Sequence, residues 1–459
     1  MNATIPPQPG EHVVIIGAGF SGTLLAVNIL RHDGPRVTLA EREAAHLARG
    51  VAYSAADDSH VLNVRAGNMS AYPDDRAHFV RWLEGRGLGG GHSFVRRTVY
   101  GTYLDEMLRA AAAGAGDRLN VVRRDAVAVE PKPDGLAVRW ADGGATSCDR
   151  VVLALGNLPP TAPPGVEPAR LPPGTYCEDP WAADIAEGLE RDDEVLLIGT
   201  GLTAVDAALL LERRGFEGRI TAMSRRGLRP RAHDDAPLPF DTRHEVPSRR
   251  LSSLVRDVRK EAERIGWRQA VDALRPVTQL MWAGADRATR QRFLRHLRPF
   301  WDVHRHRLAP SVAAAIEALV QDGHLEFRAG KLVSLEPDGD ALVASFRPRG
   351  FDGIERRGFR RVVNCTGPQG DLLRTTKPLL AQLRDMGLVR PDCARLGIDI
   401  APSTNTLTRE GDIHPRLYAV GPMTRGTYWE VVAVPDIRVQ SWNLARFLAN
   451  AHWVGGEGL

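Results

Sequence analysis

The chain has 459 residues, enough for two or three domains with ample core. Charged residues make up 25% and hydrophobic ones 43%, a balance that argues against a disordered or largely membrane-embedded chain. The net charge of +4 suits an anionic cofactor or substrate as well as nucleic acid, and four cysteines without a C-x-x-C pair argue against a dithiol relay, a cysteine zinc site or a disulfide scaffold.

The opening residues, MNATIPPQPGEH, show no basic region followed by an apolar one, so a signal peptide is not expected and a reducing cytoplasm is the expected compartment. Residues 13–30 then read VVIIGAGFSGTLLAVNIL. They carry no charge, but the glycines and polar residues split them into a strand, a tight turn and a helix rather than a membrane span. Gly17, Gly19 and Gly22 stand in G-x-G-x-x-G order, with Phe20 and Ser21 between them. In such a turn the first glycine permits the bend, the second lets a pyrophosphate approach, and the third lets helix and strand pack closely. The helix start presents free N–H groups to the anion. A second strand, RVTLAE, ends in Glu41, 24 residues beyond Gly17. An acid there is placed to hold ribose hydroxyls, with Arg42 beside it.

Residues 50–73 are punctuated by Asn, Gly and Pro and read as loop, followed by a helix capped by Asp74 or Asp75 with Phe79, Val80 and Leu83 as its apolar face. A further helix opens near Tyr100 and ends near Gly114. Strand-like runs occupy 119–129 and 136–140, and RVVLALG is a buried strand ending at Gly156. The proline-rich stretch 159–173 reads as a crossing between domains.

The second domain opens in the same way as the first. EVLLI runs into Gly199-Thr200-Gly201-Leu202-Thr203-Ala204, a G-x-G-x-x-A turn, and a helix. The next strand ends at Ser224, 25 residues beyond Gly199, with Arg225 and Arg226 following where the first unit has its acid. A carboxylate there would repel a 2′-phosphate, whereas Ser and Arg can bind one, so NADPH is expected over NADH. The alternative is a solvated charged turn. The two turns together imply a tightly bound FAD on the first and an exchanging nicotinamide nucleotide on the second.

Residues 228–312 are Arg-rich and helical in pattern, and read as an insertion. Residues 286–307 hold seven Arg against two Asp. This face can hold an anion, form a solvated surface, or brace helices with Arg stems over Trp301. His304 and His306, two apart, fall on different helix faces, so no metal site is expected. Strands return at 325–328, 341–346, 361–367 and 417–421, and a helix is expected over 435–450 with Pro435 in its first turn.

The paired turns and the Gly-ended strands ALGN and NCTGP resemble the two-dinucleotide-binding flavoproteins, among them flavin-containing monooxygenases and amine N-hydroxylases. Nearly the whole chain resembles a bacterial family of FAD/NAD(P)-binding proteins through GAGFSGTLLA, GVAYS, LNVRAGNMS, YGTYL, GTGLTAVD, FLRHLRPFWDVHRHRLAP and GTYWEVVAVPDIRVQ. The resemblance implies that Asn63 faces the flavin ring and protects an oxygenated flavin, with Met69 nearby. It also implies FAD contacts near Gly421, although Gly421-Pro422 stands where such flavoproteins usually show Gly-Asp, which leaves backbone groups, Arg425 and Thr427. The helix starting at Val434 is implied to aim its N-terminus at the flavin.

The expected fold is therefore α/β, with two Rossmann-like dinucleotide-binding domains and a helical insertion. Residues 1–165 and 366–459 would form the FAD-binding domain and 166–365 the NAD(P)-binding domain. The expected activity is an NADPH-dependent FAD monooxygenase that N-hydroxylates a small amine or amino-acid-like substrate with O2 through a C4a-hydroperoxyflavin. The alternatives are a flavin reductase serving a quinone, small molecule or partner protein, and a non-catalytic nucleotide-sensing flavoprotein. No nucleic-acid or membrane partner is expected; a homo-oligomer is left open.

Overall fold

The structure is a computed structural model that describes residues 7–8, 10–54, 57, 59–234 and 250–451. The N-terminal reading at residues 1–6 and 9, and the part of the insertion at 235–249, lie outside the described residues.

Two parallel-centred sheets organise the chain. The first runs, edge to edge, Asn405–Leu407, Ile413–Ala419, Arg150–Leu153, His12–Ile16, Arg36–Glu41 and Leu119–Arg123. All neighbours are parallel except the edge pair 405–407 and 413–419. Strands buried on both faces read as continuous apolar runs, and VVII and RVVL do so with Val13, Val14, Ile15, Val151 and Val152 fully buried. The second sheet runs Glu355–Phe359, Ala341–Pro348, Leu325–Asp338, Arg219–Ser224, Glu194–Ile198, Arg361–Asn364 and Tyr176–Cys177. Its centre is parallel, and the strands from 325 to 359 form an antiparallel ribbon at one side.

A separate antiparallel meander, Ala126–Lys132, Gly135–Trp140 and Ala145–Cys148, covers one face of the first sheet. This corrects the single strand expected over 119–129. The chain breaks at Arg124-Asp125, and the two halves join different sheets.

Beneath the first sheet, Arg150 is fully buried, its Nε donating to Glu11 Oε2 at 2.7 Å and its Nη1 to Tyr418 Oη at 2.6 Å. Two helices of this unit, Phe20–Arg31 and Val434–Leu448, lie side by side and parallel. Ser441 Oγ donates to Ser21 O at 3.4 Å, and a Cβ on Gly34 would meet Ala449 Cβ at 3.0 Å, so both chains advance together.

The insertion is helical as expected, with Leu251–Ile265, Trp267–Asp272, Arg275–Ala283, Arg287–Arg292 and Arg298–Arg305. Its base is closed by Arg231 and His233 pairing with Val303 and Leu308 through backbone hydrogen bonds of 2.8–2.9 Å. It ends before residue 312, because Pro310–Gln321 is the crossover helix that leads into Leu325–Asp338. Two local expectations also change. Residues 50–73 include a short helix, Gly50–Ser54, and a turn of 3-10 helix, Ala66–Asn68. Helix His78–Glu84 has no side-chain cap, since Asp75 pairs with Arg81 instead.

Candidate functional site: two Gly-rich turns and the segments between them

At the first turn the Gly spacing is sterically enforced. Gly17 has φ +99° and a Cβ on it would lie 2.4 Å from Ala154 O; a Cβ on Gly22 would lie 1.9 Å from Gly17 O. The first helical hydrogen bond runs from Thr23 N to Gly19 O at 3.0 Å. The N–H groups of Phe20, Ser21 and Gly22 therefore lack intrahelical partners and are available to an anion. Phe20 and Ser21 are themselves buried beside the turn. Glu41 ends its strand next to it, Oε2 accepting from Ala18 N at 3.0 Å and Oε1 from Glu43 N at 3.2 Å. Those bonds fix the carboxylate and leave it acceptor capacity for hydroxyls. Arg42 is exposed.

The late strand closes over this turn. A Cβ on Gly421 would lie 2.5 Å from Ser21 Oγ, and Gly421 N donates to Gln440 Oε1 at 2.7 Å. Gly156, beyond strand Arg150–Leu153, has φ +66° and open space where a Cβ would stand. Arg425 Nε donates to Leu396 O at 3.3 Å, and burial lowers its guanidinium to about 10. Thr427 donates to Ile400 O at 3.4 Å.

The second turn repeats the first with more room. A Cβ on Gly199 would lie 2.3 Å from Cys365 O, while one on Gly201 would meet nothing within 4 Å. Val205 N donates to Gly201 O at 3.1 Å, so the N–H groups of Leu202, Thr203 and Ala204 lack intrahelical partners. Ser224 does not fit the phosphate contact expected of it. Its Oγ lies 2.9 Å from Thr200 Oγ1, whose own proton goes to Leu228 O, and it accepts from Gly227 N at 3.1 Å. Ser224 thus has no proton left for a phosphate oxygen. Arg226 is turned to the insertion, its Cζ 4.9 Å from the Phe300 ring centroid and Nη2 donating to His296 O at 3.4 Å. Arg225 is exposed.

Between the turns, Asn63 is half-buried and its carbonyl accepts from His233 Nε2 at 3.0 Å. Burial lowers His233 to about 4, so the imidazole is neutral and donates from Nε2. Met69 is buried against the first core. Ser441 stands level with Ser21, and Val434 is seven residues earlier, so the helix start projects about 10 Å past the first turn at 1.5 Å per residue. Arg438, in that helix, donates to Ser70 O at 2.8 Å and ties it to the Asn63–Met69 loop.

The Arg-rich insertion packs on this helix start and the loop before it. Trp282 stacks on Trp429 with centroids 4.7 Å apart and donates to Gly426 O at 2.8 Å. Trp301 donates to Glu430 Oε1 at 2.9 Å, and Arg305 Nε lies 3.3 Å from Glu430 Oε2. The insertion is therefore a brace, and Trp301 works through its indole N–H. His304 lies against Trp267, and among the described residues no group of three metal-ligating side chains occurs. Glu430, Asp436 and Arg275 went unassigned on sequence. The signal for the first two was two acids inside the apolar run WEVVAVPDI.

A cleft of about 450 Å³ lined by His12, Arg36, Thr38, Trp140 and Thr146 lies at the N-terminal end of the first sheet's strands. Ligands of open parallel sheets sit at the opposite, C-terminal end, where both turns are.

Residues 14–158 match a family described as FAD-NAD(P)-binding. An uncharacterised protein of Mycobacterium tuberculosis is 24% identical over 405 residues, covering 78% of this chain and 73% of that one. The L-aspartate N-monooxygenase (nitrosuccinate-forming) of Streptomyces cremeus is 32% identical over 192 residues, 35% of this chain and 28% of that one. In structure, the ornithine N-hydroxylase of Kutzneria sp. 744 covers 96% of this chain and 99% of its own with a TM-score of 0.67 at 15% identity. The fold is that of the two-dinucleotide-binding flavoproteins. No helix among the described residues is long and apolar enough to cross a membrane.

Proposed function

We propose that the protein is an NADPH-dependent FAD monooxygenase that N-hydroxylates a small amine or amino-acid-like substrate with O2 in the cytoplasm. The observation that carries the reading is the presence in one chain of two Gly-rich turns, each at the C-terminal end of its own parallel sheet. The names of similar proteins, an aspartate N-monooxygenase and an ornithine N-hydroxylase, support the reaction class.

The donor sets fit both nucleotides. Residues 1–165 and 366–459 would hold FAD: the N–H groups of Phe20, Ser21 and Gly22 take the pyrophosphate and Glu41 the ribose, with Gly19, Gly156 and Gly421 leaving room. Residues 166–365 would hold NADPH on Gly199, Gly201, Leu202 and Thr203, with Arg225 on the 2′-phosphate. Bound FAD would supply the redox chemistry, taking two electrons from NADPH and passing them to O2. The chain's own task is to orient the substrate amine and exclude water. Asn63, its backbone held by His233, is the side chain we assign to the flavin edge; the start of helix Val434–Leu448 favours negative charge there.

Stopped-flow reduction by NADPH, followed by mixing with isotopically labelled O2 and a panel of amino acids and amines, tests this. The expected result is a long-lived absorbance distinct from oxidised and reduced flavin, and label in an oxygenated product. If no product of the panel carries label while a quinone supports fast turnover, the protein is a reductase.

A further inference from the structure

Of the residues that the sequence offers to a 2′-phosphate, Ser224 and Arg226 are spent on contacts within the protein. That leaves Arg225 as an exposed cation just past the end of its strand. A phosphate monoester carries about two negative charges and three strong acceptor oxygens, more than one guanidinium satisfies.

The register of the second sheet brings a further cation to the same place. Strand Arg219–Ser224 ends with Ser224 beside Ala329 of strand Leu325–Asp338. On the far side of that strand Gly330 pairs with Pro348, and Arg349 N donates to Ala329 O at 2.9 Å, which carries the ladder one residue further. Ser224, Ala329 and Arg349 therefore stand in one row across the sheet. The row lies at the C-terminal end of the parallel strands, where ligands of such sheets sit. Residues opposite each other in a sheet share a face, so Arg349 leaves the sheet on the side of Ser224. Two strand spacings separate the two residues, roughly 10 Å. The turn that carries Arg225 folds back onto the middle of this row: a Cβ on Gly227 would lie 2.9 Å from Ala329 N.

The charges around Arg349 are unbalanced. It is exposed, and its guanidinium has no partner among the described residues. The acids of the neighbouring strands are taken, Glu194 and Glu326 by Arg357 at 2.7 Å and Glu355 by Arg328 at 2.9 Å. Asp352, in the same turn as Arg349, makes no ion pair with it. Two residues earlier, Arg347 stands directly opposite Lys331, and both are exposed. Like charges placed opposite each other destabilise a sheet, so three cations on one face favour an anion beside them.

We propose that Arg349 is the second cation of the 2′-phosphate subsite, reaching the phosphate from the antiparallel ribbon while Arg225 reaches it from the end of its strand. The assignment rests on the NADPH reading above and adds a specificity-determining residue to it. Each guanidinium offers a planar pair of donors to the phosphate oxygens, and Lys331 and Arg347 add positive potential.

Calorimetric titration of the FAD-loaded protein with adenosine 2′,5′-bisphosphate and with 5′-AMP tests this without turnover, since the two ligands differ only in the 2′-phosphate. Wild type is expected to favour the bisphosphate. Arg349→Gln should weaken the bisphosphate about tenfold and 5′-AMP by less than about twofold, and Arg349→Lys should restore part of the loss. Flavin content and melting temperature report whether each variant folds; Arg349→Ala, read by the same criteria, serves if Arg349→Gln does not keep its FAD. If wild type binds both ligands equally, the NADPH reading fails and the Arg349 assignment falls with it. If wild type favours the bisphosphate and a folded Arg349→Gln binds it undiminished, the NADPH reading stands and Arg349 is overturned. Equal weakening of both ligands also overturns it, because the loss then lies outside the 2′-phosphate.

Discussion

Gly421 is where two distant parts of the chain touch, and a single methyl group tests the contact. Its φ is +83°, and an added Cβ would lie 2.5 Å from Ser21 Oγ beside the expected pyrophosphate site. Both the strain and the clash act in the same direction. Gly421→Ala is expected to destabilise the fold by about 1–3 kcal/mol and to lower FAD content after gel filtration; an unchanged urea midpoint with full flavin would contradict this. His233 reports on its contact with Asn63 through pH. Burial is the main cause that lowers it to about 4, while its bond to Asn63 O opposes the shift. The unfolded imidazole titrates near its ordinary value of 6.5, so between these values the unfolded state binds the extra proton. The stabilising contribution of the neutral ring is complete above pH 6.5 and is lost as pH falls toward 4. His233→Gln should flatten the acid limb of the urea-stability profile in that window. His414, also lowered to about 4, should keep part of the slope.

At the scale of the element, the two strand–turn–helix units were legible because their spacing is dictated by sterics: Gly17, Gly22 and Gly199 each stand where a Cβ would strike a backbone oxygen. The acid at Glu41 and the basic pair after Ser224 were legible for the same reason, since they end strands of fixed length. What was not legible is which side chains are already committed. Ser224 is tied to Thr200 and to Gly227 three residues on, and Arg226 to Phe300 of the insertion, whose approach no local pattern announces. On the function proposed above, the nucleotide preference among these residues falls to Arg225, which is exposed. Losing a charge-assisted bond costs about 1.5–3 kcal/mol, so Arg225→Glu should raise the KM for NADPH about tenfold or more with little change for NADH. An equal effect on both nucleotides would argue against a 2′-phosphate contact. The contact between the insertion and the C-terminal helix was the least legible part. Arg275 is far in sequence from Glu430 and Asp436, and the packing of Trp282 on Trp429, with Trp301 and Arg305 on Glu430, brings the two segments together.

At the scale of the whole molecule, the two units are pinned by a small set of polar contacts. Arg97 Nη2 donates to Asp206 Oδ2 at 2.7 Å, and His60 Nε2 to Asp206 O at 3.3 Å. Arg213 donates to Asp57 Oδ1 at 2.7 Å. Asp206 lies on the helix of the second turn, so this pin sets how the second unit faces the first. The Arg97 and Asp206 side chains are 16% and 10% exposed, and removing one charge of such a pair costs up to about 3–5 kcal/mol. Asp206→Asn is expected to slow flavin reduction by NADPH about tenfold while leaving FAD content intact. A loss of FAD with a normal reduction rate in the remaining holoenzyme would show that the pin stabilises the first unit instead.

The side-by-side helices Phe20–Arg31 and Val434–Leu448 also set an order of events during synthesis. The second sheet is drawn from one continuous stretch between Tyr176 and Asn364, and can form as soon as that stretch has left the ribosome. The first sheet cannot, because strands Asn405–Leu407 and Ile413–Ala419 and the helix beside Ser21 come last. Long-range parallel pairing of this kind is slow to close. The unit translated first is thus completed last, and on the proposed assignment FAD would meet a finished turn only after residues near 448 have been made.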